Sequence, residues 1–331
     1  MESIVAGRAA HEAAGMQRLH IIRGGTADPT GRRGADLVAA ADRGVLVRLA
    51  PGRYVEAERW RAADARTRHL ARIDAIDDRI AQRLVVSHVS AVALHGLPWS
   101  GELPEVVDVI DPHRETAQSL RLLRKHPGKG RATRVVRTPS GRAVTDLLTT
   151  VVDIALTQEL RRSVPVLDVA LQRGTDRAAL QAELSSRSAV HGRDRARFAI
   201  AFADQRTGSV GESIARVALD EVGAPRPRLQ VDFQDRAGFV ARVDFWFPDQ
   251  GVVLEFDGAA KYRDPALRAA GLTAEDVLVQ EKRREDRLRL VPEVRRVGRF
   301  GWAETQDTSL LRALLVGLGL PLEERRFRTI R

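Results

Sequence analysis

The alternation of apolar and polar positions organises this chain before any single residue does. Ala35 to Arg43 (ADLVAAADR) puts Leu37, Val38 and Ala41 on one helical face, and Gly44 stands where that helix should stop. Val45 to Leu49 alternates as a strand, Ala50-Pro51-Gly52 turns, and Arg53-Tyr54-Val55 returns. Short helices followed by such a hairpin describe a winged helix-turn-helix over residues 1–83. Residues 84–175 read as an α/β middle domain: VVDVID (Val106 to Asp111) alternates like a strand, and VTDLLTTVVDIAL reads as a buried helix opened by Thr145. Residues 176–205 are helical and strongly charged, a connector to a last domain over 206–331. The predicted class is α/β (α+β) and multidomain, with no internal repeat.

The most informative pattern lies between Arg242 and Gly258. Two β-rich runs, RVDFWF and VVLEFD, flank the turn-forming Pro248-Asp249-Gln250-Gly251. Pairing Phe247 with Val252 puts Asp244 opposite Glu255 and Arg242 opposite Asp257. Strand side chains alternate between faces, so Asp244, Glu255 and Asp257 should project from one side, and Val243, Phe245, Phe247, Leu254 and Phe256 from the other. Ser209-Val-Gly-Glu212 upstream has the spacing of a capping box at a helix start. Val294 to Val297 reads as one more strand.

Charge then changes the picture. The net charge is +10 and cysteine is absent, which excludes disulfides and thiolate metal sites. A basic balance favours polyanionic partners, because each phosphate contact releases counterions. Only Lys125, Lys129, Lys261 and Lys282 are lysines against 50 arginines, so a GC-rich coding bias also explains the balance. DNA is the partner this points to, with Arg43, Arg48 and Arg53 on or beside the wing as phosphate contacts. A small winged domain that binds protein instead is the competing reading. No stretch approaches the roughly 20 uninterrupted apolar residues that span a bilayer. The opening MESIVAGRAAHEAAG has no apolar signal-peptide core, so a cytoplasmic location without membrane partners is expected.

The acids carry the candidate chemistry. Carboxylates directly opposite on a sheet repel, so the Asp244–Glu255 pair needs a bound cation, a shared proton or bridging arginines. Oxygen-only ligands suit Mg²⁺ or Mn²⁺, with Asp244, Glu255 and Glu212 as the ligand set. Such an ion polarises a phosphoryl oxygen and acidifies its bound water. Glu212 has two readings, helix cap and site acid, and both can hold. Lys261 follows Glu255 by six residues, and Lys282 lies in the run Gln280 to Arg289, where Glu281 and Glu285 share a helix face. Either ammonium could stabilise charge developing at phosphorus. His88 and His95, embedded in an apolar run, read as partnered core groups.

Glu212, Arg242-Val-Asp244, Glu255-Phe-Asp257-Gly258 and the Glu-Lys-Arg-Arg-Glu-Asp helix together resemble the PD-(D/E)xK nuclease superfamily, in the branch related to very-short-patch-repair endonucleases, over about Gly208 to Asp307. That resemblance implies a restriction-endonuclease-like αβββαβ core, Mg²⁺ dependence, a helix acid at Glu212, metal-binding acids at Asp244 and Glu255, and an accessory Asp257. The lysine of that pattern, two residues after Glu255, is Asp257 here. Arg43 to Val55 and Ser87-His88-Val-Ser90 through His95-Gly96-Leu97-Pro98 are similar to the AbiEi-type antitoxins of type IV toxin–antitoxin systems. This implies a winged-helix repressor domain, an antitoxin-like middle domain and a cognate toxin as partner. The expected function is Mg²⁺-dependent endonucleolytic hydrolysis of DNA in bacterial defence or DNA processing. The alternative is an AbiEi-like transcriptional repressor or antitoxin whose nuclease fold is inactive.

Overall fold

A computed structural model describes residues 18–24, 32–80, 83–188, 191–236, 238–258 and 274–323, with backbone alone at 32, 33, 79 and 274–281. The chain is a mixed α/β, multidomain protein that divides into two compact units, Met1–Ile154 and Ala155–Arg331. Among the described residues no helix is long and apolar enough to cross a membrane.

The first unit opens with β1 (Ile22–Arg23), α1 (Arg32–Asp42), β2 (Leu46–Ala50) and β3 (Arg53–Glu56). The α1 helix stops where expected: Gly44 takes φ +75°, and the Gly44 and Val45 amides donate to the carbonyls of Ala41 and Ala40. Gly52, φ +69°, turns β2 into β3, giving a three-stranded sheet in the order β1-β3-β2. Three helices follow: α2 (Ala57–Ala62), α3 (Ala65–Ala75) and α4 (Asp77–Ile80). Asp64 caps α3 by accepting from the Thr67 amide at 2.6 Å.

A second sheet has the order β6-β7-β5-β4-β9-β8. Its strands are β4 (Val85–Val86), β5 (Val107–Asp111), β6 (Gln118–Ser119), β7 (Leu123–Pro127), β8 (Val135–Arg137) and β9 (Ala143–Thr145), with α5 (His88–Leu94) between β4 and β5. Thr145 ends β9 rather than opening the next helix, α6 (Leu147–Thr157); Asp146 opens it by accepting from the Thr149 amide at 2.7 Å. Both embedded histidines have partners, as their apolar setting predicts: His88 Nδ1 meets Ser87 Oγ at 2.9 Å, and His95 Nε2 meets the Thr145 carbonyl at 2.7 Å. One apolar cluster joins Ala50 of β2 with Leu70, Ile73, Val86, Val107 and Val144. The core of this unit therefore runs across position 83.

In the second unit α7 (Leu160–Gln172), α8 (Arg177–Ser185) and α9 (Arg193–Phe202) form a helical layer. The charged stretch 176–205 is packed, not merely connecting, since Leu180, Ala199 and Ile200 are fully buried. Then come α10 (Val210–Glu221), β10 (Arg228–Asp235), β11 (Gly238–Phe247), β12 (Val252–Asp257), α11 (Ala274–Arg289) and β13 (Arg296–Gly301). The chain closes with α12 (Trp302–Gln306) and α13 (Thr308–Gly317). The sheet order is β10-β11-β12-β13, with β12 and β13 parallel and the other pairs antiparallel. A parallel pair needs a long crossover, and α11 lies within it. The order helix, three strands, helix, strand is the one expected for this stretch.

Apolar side chains cover both faces of the sheet. Phe245, Phe247, Leu254 and Phe256 pack with Ala215 and Leu219 of α10 and Leu311 and Leu315 of α13. Trp246 and Val253 pack with Leu288 of α11 and with Val291 and Val294. Val243 joins this second group instead of the face of Phe245. The alternation breaks at the step between Leu229–Phe245 and Val231–Val243, where Gln230 takes φ +50°.

Candidate functional site

The hairpin pairs in the register its turn length dictates: Phe247 with Val252, Trp246 with Val253 and Phe245 with Leu254. At the next step the Asp244 side chain takes over, and its Oδ2 accepts from the Phe256 amide at 3.0 Å. A carboxylate bound to the neighbouring strand's backbone is held at one place and angle.

Glu212 approaches from the first turn of α10. Ser209 Oγ accepts from the Glu212 amide at 3.1 Å, and Glu212 reaches back to the Gly208 amide (2.8 Å) and to Ser209 Oγ (2.9 Å). The capping role is thus real, and it aims the carboxylate. Gln230 of β10 joins the two acids: its Nε2 donates to Glu212 Oε2 at 2.8 Å and to Asp244 Oδ1 at 3.0 Å. A non-glycine residue at positive φ within a strand costs on the order of 1–3 kcal/mol, and such strain concentrates at functional sites. Burial and the Asp244 charge push the Glu212 carboxyl above the usual carboxylate range, against the donors from Gly208, Ser209 and Gln230.

The other predicted residues lie elsewhere. Glu255 is 7% exposed and accepts from Arg284 of α11 at 2.5 Å, with Arg299 of β13 3.7 Å away. Asp257 stands opposite Gly301 in the parallel ladder. Arg242, expected opposite Asp257, turns instead to Asp232 on β10, through bonds of 2.6 and 2.8 Å. Lys282 is exposed on α11, and Lys261 lies outside the described residues. Among the described residues no three of His, Cys, Asp and Glu gather closely enough to hold a metal ion. Arg43, just after α1, and Arg48 of β2 face solvent, whereas Arg53 of β3 is 18% exposed and tied to Asp78 at 3.2 Å.

Sequence reasoning missed Gln230, Arg284 and Arg299. Gln230 carries no mark beyond being polar in an otherwise alternating run. Arg284 is one of several basic residues on its helix, and only the fold selects it.

No family model matches the chain. Two relatives from Mycobacterium tuberculosis, uncharacterized protein Rv2248 of strain H37Rv and uncharacterized protein MT2308 of strain CDC 1551, are each 28% identical over 228 residues, spanning 65% of this chain and 82% of their own. Among solved structures, that of the RV2827C protein from Mycobacterium tuberculosis is similar with a TM-score of 0.35 and 15% identity, across 58% of this chain and 75% of that one.

The close approach of α10 to β12 also fixes the site. A Cβ on Gly211 would meet Phe256 Cδ1 at 3.0 Å and Cε1 closer still. Phe256 cannot move aside freely, because Phe300 and Trp302 contact its ring edge-to-face at 5.5 and 5.2 Å. Gly211→Ala is therefore expected to cost about 1–3 kcal/mol of overpacking strain, less roughly 1 kcal/mol of gained helix propensity. A melting temperature above wild type would contradict that packing.

Proposed function

We propose that this chain is a cytoplasmic DNA-binding protein whose second unit hydrolyses phosphodiester bonds with a divalent cation, Mg²⁺ or Mn²⁺. In this reading α10, β10–β12, α11 and β13 are the αβββαβ core of a PD-(D/E)xK-type nuclease, and the helix and wing of the first unit are a winged helix-turn-helix. The observation that carries it is the meeting of Glu212 and Asp244, from different elements, on either side of the Gln230 amide.

The donor set suits a hard cation, which binds one or two carboxylates and keeps several waters. Gly208 leaves space beside them: a Cβ there would lie 3.0–3.2 Å from both Glu212 oxygens and from Gln230 Nε2. Glu212 and Asp244 would hold the ion. When bound it supplies Lewis-acid polarisation of a phosphoryl oxygen and a water of lowered pKa. Asp244 is held in place by the Phe256 amide. Gln230 keeps Glu212 and Asp244 in register. Arg43 and Arg48 contact backbone phosphates and position the duplex without reading its sequence.

A second reading is an AbiEi-like repressor or antitoxin, with a toxin as partner and a nuclease fold that only grips DNA. The pairing of Glu255 with arginine favours it, because the third expected acid does not join the other two. Duplex DNA incubated with the protein and Mg²⁺ or Mn²⁺ separates the two. Cleavage that stops with chelator or with Asp244→Ala, while binding persists, is expected. Binding with a steep salt dependence and no turnover in wild type would leave the repressor.

A further inference from the structure

Glu255, one of the three acids expected to bind the metal, is buried and engaged with guanidinium groups. Arg284 Nη2 donates both to Glu255 Oε1 (2.5 Å) and to the Arg242 carbonyl (3.1 Å). Arg299, level with Glu255 in the parallel ladder, brings Nε to 3.7 Å from Oε2 and Nη2 to 3.3 Å from Glu285. Glu285 also accepts from Arg289 at 2.7 Å. Arg284, Arg299 and Arg289 are thus linked through Glu255 and Glu285.

Both named bonds of Arg284 leave from one nitrogen, and 34% of its side chain still meets solvent. A guanidinium is a rigid fork of five donors, suited to bidentate contact with phosphate once its plane is fixed. Glu255 and the Arg242 carbonyl fix that plane. The anchor lies one residue before Phe256, whose amide holds Asp244.

We propose that Glu255 is a positioning residue and not a metal ligand: it aims Arg284, with Arg299 beside it, at a backbone phosphate of duplex DNA. This rests on the DNA-binding part of the function proposed above and assigns the site a phosphate contact outside the wing.

The test uses the full chain, a short DNA duplex and Mn²⁺ as the metal probe. Duplex affinity is measured across a salt series, and Mn²⁺ binding by calorimetry, for wild type, Glu255→Gln, Arg284→Met, Arg284→Lys and Asp244→Asn. Methionine keeps an apolar stem in place of the arginine stem, and circular dichroism checks folding. Arg284→Met should lose about tenfold in affinity, with a salt slope shallower by about one. Arg284→Lys should keep the slope and lose several-fold in affinity, because the charge remains and the fork does not; it decides the matter should Arg284→Met fail to fold. Glu255→Gln should weaken DNA binding, add nothing in combination with Arg284→Met, and leave Mn²⁺ affinity at the wild-type value while Asp244→Asn lowers it.

Loss of Mn²⁺ binding in Glu255→Gln to the extent seen in Asp244→Asn would overturn the assignment. So would wild-type affinity and slope in Arg284→Met, which would reduce the pair to a tie between helix and sheet. The nuclease reading fails separately. If wild type neither cleaves DNA nor binds Mn²⁺ but Arg284→Met still flattens the salt slope, the phosphate contact stands and hydrolysis falls.

Discussion

Replacing Asp168 by alanine is expected to destabilise the second unit by about 3–5 kcal/mol, the range for a buried ion pair that loses one partner. Asp168 of α7 is 1% exposed and Arg216 of α10 is 4% exposed. The Arg216 Nη2 group reaches both carboxylate oxygens, at 2.9 and 2.8 Å. The same carboxylate accepts from Ser213 Oγ and from the Asp204 amide, each at 2.7 Å. Alanine would strand a guanidinium whose remaining support is the Phe202 carbonyl at 2.6 Å and the Phe202 ring at 4.4 Å. Removing both charges is different. An Asp168→Leu, Arg216→Met double variant should recover most of the loss, because apolar groups of similar volume replace buried ion pairs at little cost. Urea unfolding measures both. A cost below about 1 kcal/mol for Asp168→Ala would mean that the network is not closed to water.

The first unit should lose about 3 kcal/mol as pH falls from near 6.5 to near 4, through His69 alone. His69 is 1% exposed, and burial lowers its pKa to about 4. Its partners suit the neutral ring: Nδ1 donates to the Pro104 carbonyl at 2.9 Å. Nε2 accepts from Ser90 Oγ at 2.8 Å, which itself accepts from the Asp108 amide at 2.8 Å. The unfolded chain binds a proton at about pH 6.5 that the folded chain refuses until about pH 4. Between those values the unfolded state holds more protons, so stability rises with pH. Above the window the contribution is constant. His69→Gln should flatten that slope in denaturation curves taken across the range; an unchanged slope would assign the acid sensitivity to other groups.

Features fixed by local chemistry were legible in the sequence. The end of α1 at Gly44, the hairpin register and the Ser209–Glu212 cap each depend on a few neighbouring residues, and each appears where the pattern puts it. Features that need the fold were not. A left-handed Gln230 leaves no sequence mark, yet it lies where the alternation breaks and it bridges the two acids. Choosing Arg284 over Lys282 depends on how α11 meets the sheet, which helical periodicity leaves open. Arg242 and Arg53 found carboxylates, Asp232 and Asp78, that no spacing rule connects to them.

The apolar cluster that spans position 83 limits how the N-terminal half can be inherited. A fragment ending at Arg83 would carry Ala50, Leu70 and Ile73 without Val86, Val107 and Val144, the strand residues that keep them dry. Such a piece is no interchangeable cassette. Recombination that moves the β2–β3 hairpin into another chain has to carry the strands through β9 with it, or leave both products with an open, sticky interior.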